Sequence, residues 1–184
     1  RAGVQLSLAS WHVEQGDLMA ARECLDACST AELIPNRQDV VRAHLLARVC
    51  GPLGDPALCE AVREVLLPWR GLNLVDASIG CSFGPAARYL ALASWGLGDW
   101  EGSEECFVEA IALCERLAAP AELLPVRIDF ARMLAARGGD RDPSAATAQL
   151  ALARADATRL RLPAMLRRLE RVAAESPERR KHDD

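Results

Sequence analysis

Five consecutive residues, Gly80-Cys81-Ser82-Phe83-Gly84, spell G-x-S-x-G, the pattern that raises a serine nucleophile on a sharp strand-to-helix turn. Acyl transfer from Ser82 would need a buried parallel sheet beneath that turn, and an acid and a histidine downstream. The only downstream histidine is His182, in a charged tail, and the flanking segments read as helices. The expected reading is a glycine-rich loop leading to a helix cap, with a Ser82 hydrolase as the alternative. A second constellation is Cys24 and Cys28, one helical turn apart, with His12 across the turn at Gly16. Three such ligands suit tetrahedral zinc, but no fourth is evident, and a free cysteine packs as a small hydrophobe. Neither a metal nor another cofactor is expected. Lys181 is the single lysine, so a lysine nucleophile or a P-loop phosphate clamp has no residue to use outside the tail. Glu101, Glu105 and Glu109 form an acidic line at steps of four, the pattern of a solvated helix face. Arg154, Arg159, Arg161, Arg167, Arg168 and Arg171 make the last two helices basic, which fits a solvated face or an interdomain contact, with a surface for nucleic acid or an acidic partner as the alternative.

The elements that position these residues are marked by a recurring Gly-Asp step. It occurs at Gly16-Asp17, Gly54-Asp55, Gly98-Asp99 and Gly139-Asp140, at intervals of 38, 44 and 41 residues. Glycine can take the left-handed conformation that ends one helix, and aspartate can cap the next. Asp55-Pro56 and Asp142-Pro143 strengthen the start signal, because proline at the first helical position loses no hydrogen bond. Gly84-Pro85 opens a further helix. After Gly98 an apolar or small residue returns at Trp100, Ser103, Phe107, Ala110, Cys114 and Leu117. After Gly16 the same steps of three and four pick out Leu18, Ala21, Leu25 and Cys28, so both segments read as helices with one buried stripe. The spacing predicts roughly eight paired helices and a terminal one near Leu162 to Glu175. A unit of about 40 residues cannot bury its own face and must stack on its neighbours.

Composition agrees with that plan. The chain has 184 residues, 51% of them hydrophobic but only 4% aromatic, so alanine and leucine supply the apolar matter and favour helix. Its net charge of -4 argues against a nucleic-acid binder. The longest apolar candidate for a membrane span, Ala86 to Leu97, is interrupted by Arg88 and is too short. Seven cysteines, an odd number without a disulfide-dense spacing, point to reduced thiols in a cytoplasm. An arginine at position 1 suggests a piece of a larger polypeptide. Residues 1–175 read as one helical-repeat domain, with an extended loop at 67–84 lying across the stack and a charged, frayed tail at 176–184.

The stretch Gly96 to Leu117, GLGDWEGSEECFVEAIALCERL, resembles a tetratricopeptide repeat. Gly98, Trp100, Ser103, Phe107 and Ala110 match its turn glycine and its aromatic and small positions, and Gly16 to Cys28 follows the same spacing. The wider segment from Leu66 to Gly139 resembles the C-terminal helical region of large ATP-binding bacterial signalling proteins. These are MalT-like, LuxR-type transcription regulators and related ATPase–cyclase proteins. The resemblance implies an all-α superhelical stack of about four antiparallel helix pairs, without activity of its own. It would receive a protein, peptide or small effector and bias an ATPase module elsewhere in the parent chain. No membrane or direct nucleic-acid contact is expected. Since the first helix of each tetratricopeptide pair lines the concave side, the resemblance places His44, Arg48, Arg88, Leu92, Trp95, Asp129 and Met133 in the groove. A self-associating scaffold is a further alternative.

Overall fold

The computed structural model describes residues 2–36, 39–76 and 80–175. Most of these are helical, and the fold is all-α apart from one two-stranded hairpin. The chain divides into two compact units, Arg1–Ala110 and Ile111–Asp184. The first holds α1 (Ala2–Gln15), α2 (Leu18–Asp26), the single turn α3 (Thr30–Leu33), α4 (Val40–Leu53) and α5 (Pro56–Leu66). The strands β1 (Asn73–Asp76) and β2 (Cys81–Pro85), then α6 (Ala86–Gly96) and most of α7 (Trp100–Arg116), complete it. The second unit contains the end of α7, α8 (Pro120–Arg137), α9 (Asp142–Arg159) and α10 (Pro163–Glu175). The expected tail at 176–184 lies outside the described residues.

The first three Gly-Asp steps act as the spacing predicts. Gly16, Gly54 and Gly98 all have positive φ. Asp17 accepts from the Ala20 amide, Asp55 from Leu58 and Asp99 from Gly102. The fourth step differs. There Gly138, at φ 69°, ends α8, and Asp140 caps nothing. Asp142 instead accepts from the Gly139 amide and takes the Arg137 guanidinium side-on at 2.7 and 2.8 Å. That cation holds the Asp142 carboxyl below the usual carboxylate range. The GGDRD sequence offers two glycines and two aspartates, and the bidentate arginine favours the second acid.

In the first unit α1 packs on α2, α4 on α5, and α4 also lies against α1 and α6. The core follows the helical period. Leu6, Ala9 and Val13 of α1 are buried, as are Ala21 and Leu25 of α2 and Leu58, Cys59, Val62, Val65 and Leu66 of α5. Helix α6 is buried at every position from Ala86 to Ser94, which accounts for its unbroken run of small and apolar residues. Of the stripe on α7, Ser103, Phe107 and Ala110 are fully buried, and the Ser103 hydroxyl donates to the Ala91 carbonyl at 2.8 Å. The ends of the two predicted stripes, Leu18 and Leu117, are exposed because each lies next to a turn.

One close approach between helices in this unit is not revealed by the periodicity. A Cβ added to Gly51 of α4 would lie 2.3 Å from the Leu92 carbonyl oxygen of α6. One added to Gly96 would lie 2.5 Å from Cys59 Sγ and 2.9 Å from the Gly51 Cα. Helix propensity alone favours alanine over glycine by about 1 kcal/mol inside a helix. Gly51→Ala is nevertheless expected to destabilise on the order of 1–3 kcal/mol, since backbone rather than a flexible side chain must move. Chemical denaturation reads this directly, and a stabilised variant would mean that α4 and α6 do not meet at Gly51.

The segment 67–84, expected as an extended loop, is more ordered than that. A 3₁₀ turn at Leu67–Trp69 leads into the antiparallel hairpin β1–β2, of which residues 77–79 lie outside the description. The NLVD and CSFG segments are short enough to escape a period-two reading, yet cross-strand bonding fixes them. Arg70 anchors the hairpin base through Nε and Nη2, each 2.7 Å from the Glu109 carboxylate of α7. That ion pair raises the already high Arg70 pKa. Glu109 is therefore bound, and the acidic line on α7 is only partly a solvated face.

In the second unit α8 packs along α9, and α10 closes over both. Leu124, Ile128, Ala153, Ala157, Leu169 and Val172 form the core. The small alanines of α9 let α8 approach closely, and α10 supplies the bulk.

Candidate functional site

A group of polar and aromatic side chains in the first unit is built on α4, α6 and β2. His44 and Arg48 lie one turn apart on α4, and Arg88 and Tyr89 begin α6. Strand β2 brings Phe83 to them by a β-bulge. Leu74 pairs with Gly84 and Val75 with Ser82, so Phe83 is opposite no residue of β1. A bulged residue is re-aimed out of the regular alternation, and the Phe83 ring lies flat on the His44 imidazole. The ring centroids are 4.1 Å apart with an interplanar angle of 18°. Tyr89 meets the same imidazole edge-on at 5.5 Å and donates its hydroxyl to the Phe83 carbonyl. Arg88 Nη1 is 3.4 Å from the Tyr89 oxygen, and its guanidinium carbon is 5.2 Å from the tyrosine ring centroid. Arg48 forms an ion pair with Glu14 of α1.

Electrostatics follow from burial. His44 is 5% exposed and Arg88 5% exposed. Burial pulls the His44 pKa down to about 4, the Arg48 and Arg88 cations lower it further, and the Val40 and Val41 backbone opposes them. The imidazole is neutral at physiological pH, and its Nδ1 makes no hydrogen bond of good geometry. The result is a buried aromatic stack with arginine side chains beside it.

Of the residues expected in a groove, His44, Arg48 and Arg88 are thus brought together in the first unit. Leu92 is buried in α6, and Trp95 is half-buried near its end. Asp129 and Met133 belong to the second unit. Asp129 is buried and accepts from Arg168 Nη2 at 3.2 Å, and Met133 is fully buried. Five of the seven are therefore interior rather than open to solvent, because α4, α6 and α8 are packed on more than one side. Phe83, Tyr89 and Glu14 belong to the cluster and were not singled out for it. Tyr89 is the single tyrosine of the chain, and a lone polar aromatic in an alanine-rich helix was the available signal.

The other constellations have different surroundings. Ser82 lies inside β2 of an antiparallel hairpin, and its Oγ accepts from Asn73 Nδ2 at 2.8 Å and from the Gly84 amide at 3.3 Å. His182 and Lys181 lie outside the described residues. His12 is 3.9 Å from the Asp17 carboxylate and meets Trp11 edge-on. Cys24 is half-buried, and burial raises its pKa, with Glu23 and Cys28 adding. Among the described residues no group of three or more His, Cys, Asp or Glu side chains is placed to hold a metal ion. The basic set of the last helices splits: Arg168 turns inward to Asp129, Arg159 pairs with Asp156 at 2.9 Å, and Arg154, Arg161 and Arg167 are exposed.

No family model matches the chain, and no curated protein or solved structure shows significant similarity to it.

Proposed function

We propose that this chain is a non-catalytic interaction or ligand-sensing domain, built of tetratricopeptide-like helix pairs, within a larger cytoplasmic bacterial signalling or transcription regulator. The observation that carries this reading is the side-by-side packing of α1, α4 and α6 in the first unit, with α2 and α5 paired to α1 and α4. Bihelical repeats stack in that manner and present the side chains of their first helices as a binding surface. The cluster of His44, Arg48 and Arg88 lies on those first helices, with His44 and Arg88 buried and Arg48 half-buried. The resemblance of Gly96 to Leu117 to a tetratricopeptide repeat, and of Leu66 to Gly139 to MalT-like regulators, supports the same assignment. No helix among the described residues is long and apolar enough to cross a membrane. In the parent protein the domain would receive its partner or effector and bias an ATPase module, with DNA contacts made elsewhere.

The reading competes with a hydrolase that uses Ser82. Incubation with an activated ester is expected to give no turnover above background, and turnover abolished by Ser82→Ala would overturn the proposal. Light scattering across a concentration series separates it from a self-associating scaffold. The mass of one chain is expected throughout, and a mass that climbs with concentration would favour the scaffold.

A further inference from the structure

Helix α1 differs from its companions in the row α1, α4, α6. Every position of α4 and α6 is buried or half-buried. α1 packs on α2 and α4 and buries Ala2, Leu6, Ala9, Ser10 and Val13, yet its opposite face stays in water. That face carries Val4, Leu8 and Trp11, which are 66%, 45% and 55% exposed. Steps of four and three put them on one stripe, the same steps that mark the buried stripe of α7. Gly3 and Ser7 lie beside them. A Cβ added to Gly3 would meet nothing within 4 Å, and the Ser7 hydroxyl donates to the Gly3 carbonyl at 3.0 Å. The whole helix holds one acid, Glu14, which pairs with Arg48, and no lysine or arginine. A helix apolar on both faces has the composition of one that is packed on both.

We propose that the face of α1 bearing Val4, Leu8 and Trp11 is a docking surface for one amphipathic helix of a partner protein, laid alongside α1 as α4 is on the other side. This inference rests on the interaction reading above and names the surface and the kind of partner. Continuity with the existing interface chooses the occupant. α4 meets a different helix on each side, α1 and α6, so the row is extended at α1 by a further, non-identical helix rather than by a second copy. The face also dictates the partner's chemistry. A helix recognised through ion pairs would find no charge among Val4, Leu8 and Trp11, so the contacting stripe of the partner is apolar. Trp11 is the large, rigid anchor of the contact, and Gly3 and Ser7 let the partner's backbone come close.

The test uses the whole chain and a neutral synthetic peptide of about 20 residues, long enough to form a helix. The peptide carries leucines at alternating steps of three and four, with glutamate and lysine in equal number elsewhere. Fluorescence anisotropy of the labelled peptide reads binding. Wild type is expected to bind it, with an affinity that changes less than about twofold between low and high salt. A scrambled peptide of the same composition should not bind. Leu8→Glu sets a charge in the middle of the stripe and is expected to weaken binding about tenfold or more, as is Trp11→Ala. Both side chains are exposed, so neither change should move the unfolding midpoint. Val4→Ser serves if one of them does not fold. Val108→Glu, at an exposed apolar position of α7, should bind as wild type does. No binding at millimolar peptide would overturn the proposal, as would undiminished binding by a folded Leu8→Glu chain or an equal loss in Val108→Glu. Two further results would replace the occupant and so overturn it. One is a dimer that Leu8→Glu abolishes, seen by light scattering without peptide. The other is binding to neutral phosphatidylcholine vesicles that Leu8→Glu abolishes. Failure of the peptide to bind leaves the non-catalytic reading standing, since that reading falls only to Ser82-dependent ester turnover or to self-association.

Discussion

Asp129→Ala is expected to cost the second unit about 3–5 kcal/mol, the range for removing one partner of a buried ion pair. Asp129 and Arg168 bridge α8 and α10 at 3.2 Å, and their side chains are 5% and 11% exposed. The loss comes less from the missing attraction than from the guanidinium that stays behind, poorly solvated and short of its carboxylate. A double variant, Asp129→Leu with Arg168→Met, tests that cause. It removes both charges and keeps volume beside Leu169 and Val172, so most of the lost stability should return. Urea denaturation of the two single variants and the double completes the cycle. A double variant as unstable as Asp129→Ala would show that the pair supplies geometry which apolar packing cannot replace.

His44 makes the first unit sensitive to acid, and the sign is fixed by the direction of its shift. Its pKa falls from 6.5 to about 4 in the folded chain, first through burial and then through Arg48 on its own helix and Arg88 on α6. Phe83 and Tyr89, which touch it from β2 and α6, carry no charge there. Between those two values the unfolded chain binds a proton that the folded chain refuses, so stability declines as pH falls through this window. The contribution is complete above the unfolded value and stops changing below about pH 4. A shift of that size corresponds to on the order of 3 kcal/mol. His44→Gln should remove this component. The measurement is the stability difference between neutral pH and about pH 4.5, which should be smaller in the variant by on the order of 2–3 kcal/mol. Parallel pH profiles for the two proteins would mean that His44 is as readily protonated in the folded state as in the unfolded one.

Much of the fold was legible because its signals are local. The Gly-Asp steps at positions 16, 54 and 98 need only the backbone preferences of two adjacent residues, and they begin helices where expected. The buried stripe of Ser103, Phe107 and Ala110 needs only the helical period. The terminal helix was also placed near its observed limits, Pro163–Glu175. Where two choices were locally equivalent, sequence could not decide. Gly138 and Gly139 are chemically identical, and Asp142 prevails over Asp140 because Arg137 reaches it with both nitrogens.

The candidate site divides in the same way. His44, Arg48 and Arg88 could be nominated from helical position alone, which fixes the face a residue occupies. Whether that face is open depends on what is laid over it, and β2 supplies the cover. Its strands are too short to announce themselves, and the bulge that turns Phe83 onto His44 exists only once β1 and β2 are in register. The contact of Gly51 with Leu92 is decided the same way, by two helices that are distant in sequence. Helix identity, turn position and the buried stripe are thus properties of residues a few places apart, which interact in any context. The stack of Phe83 on His44, the lowered His44 pKa and the ion pair between α8 and α10 require segments some forty residues apart to meet, and only tertiary packing determines that.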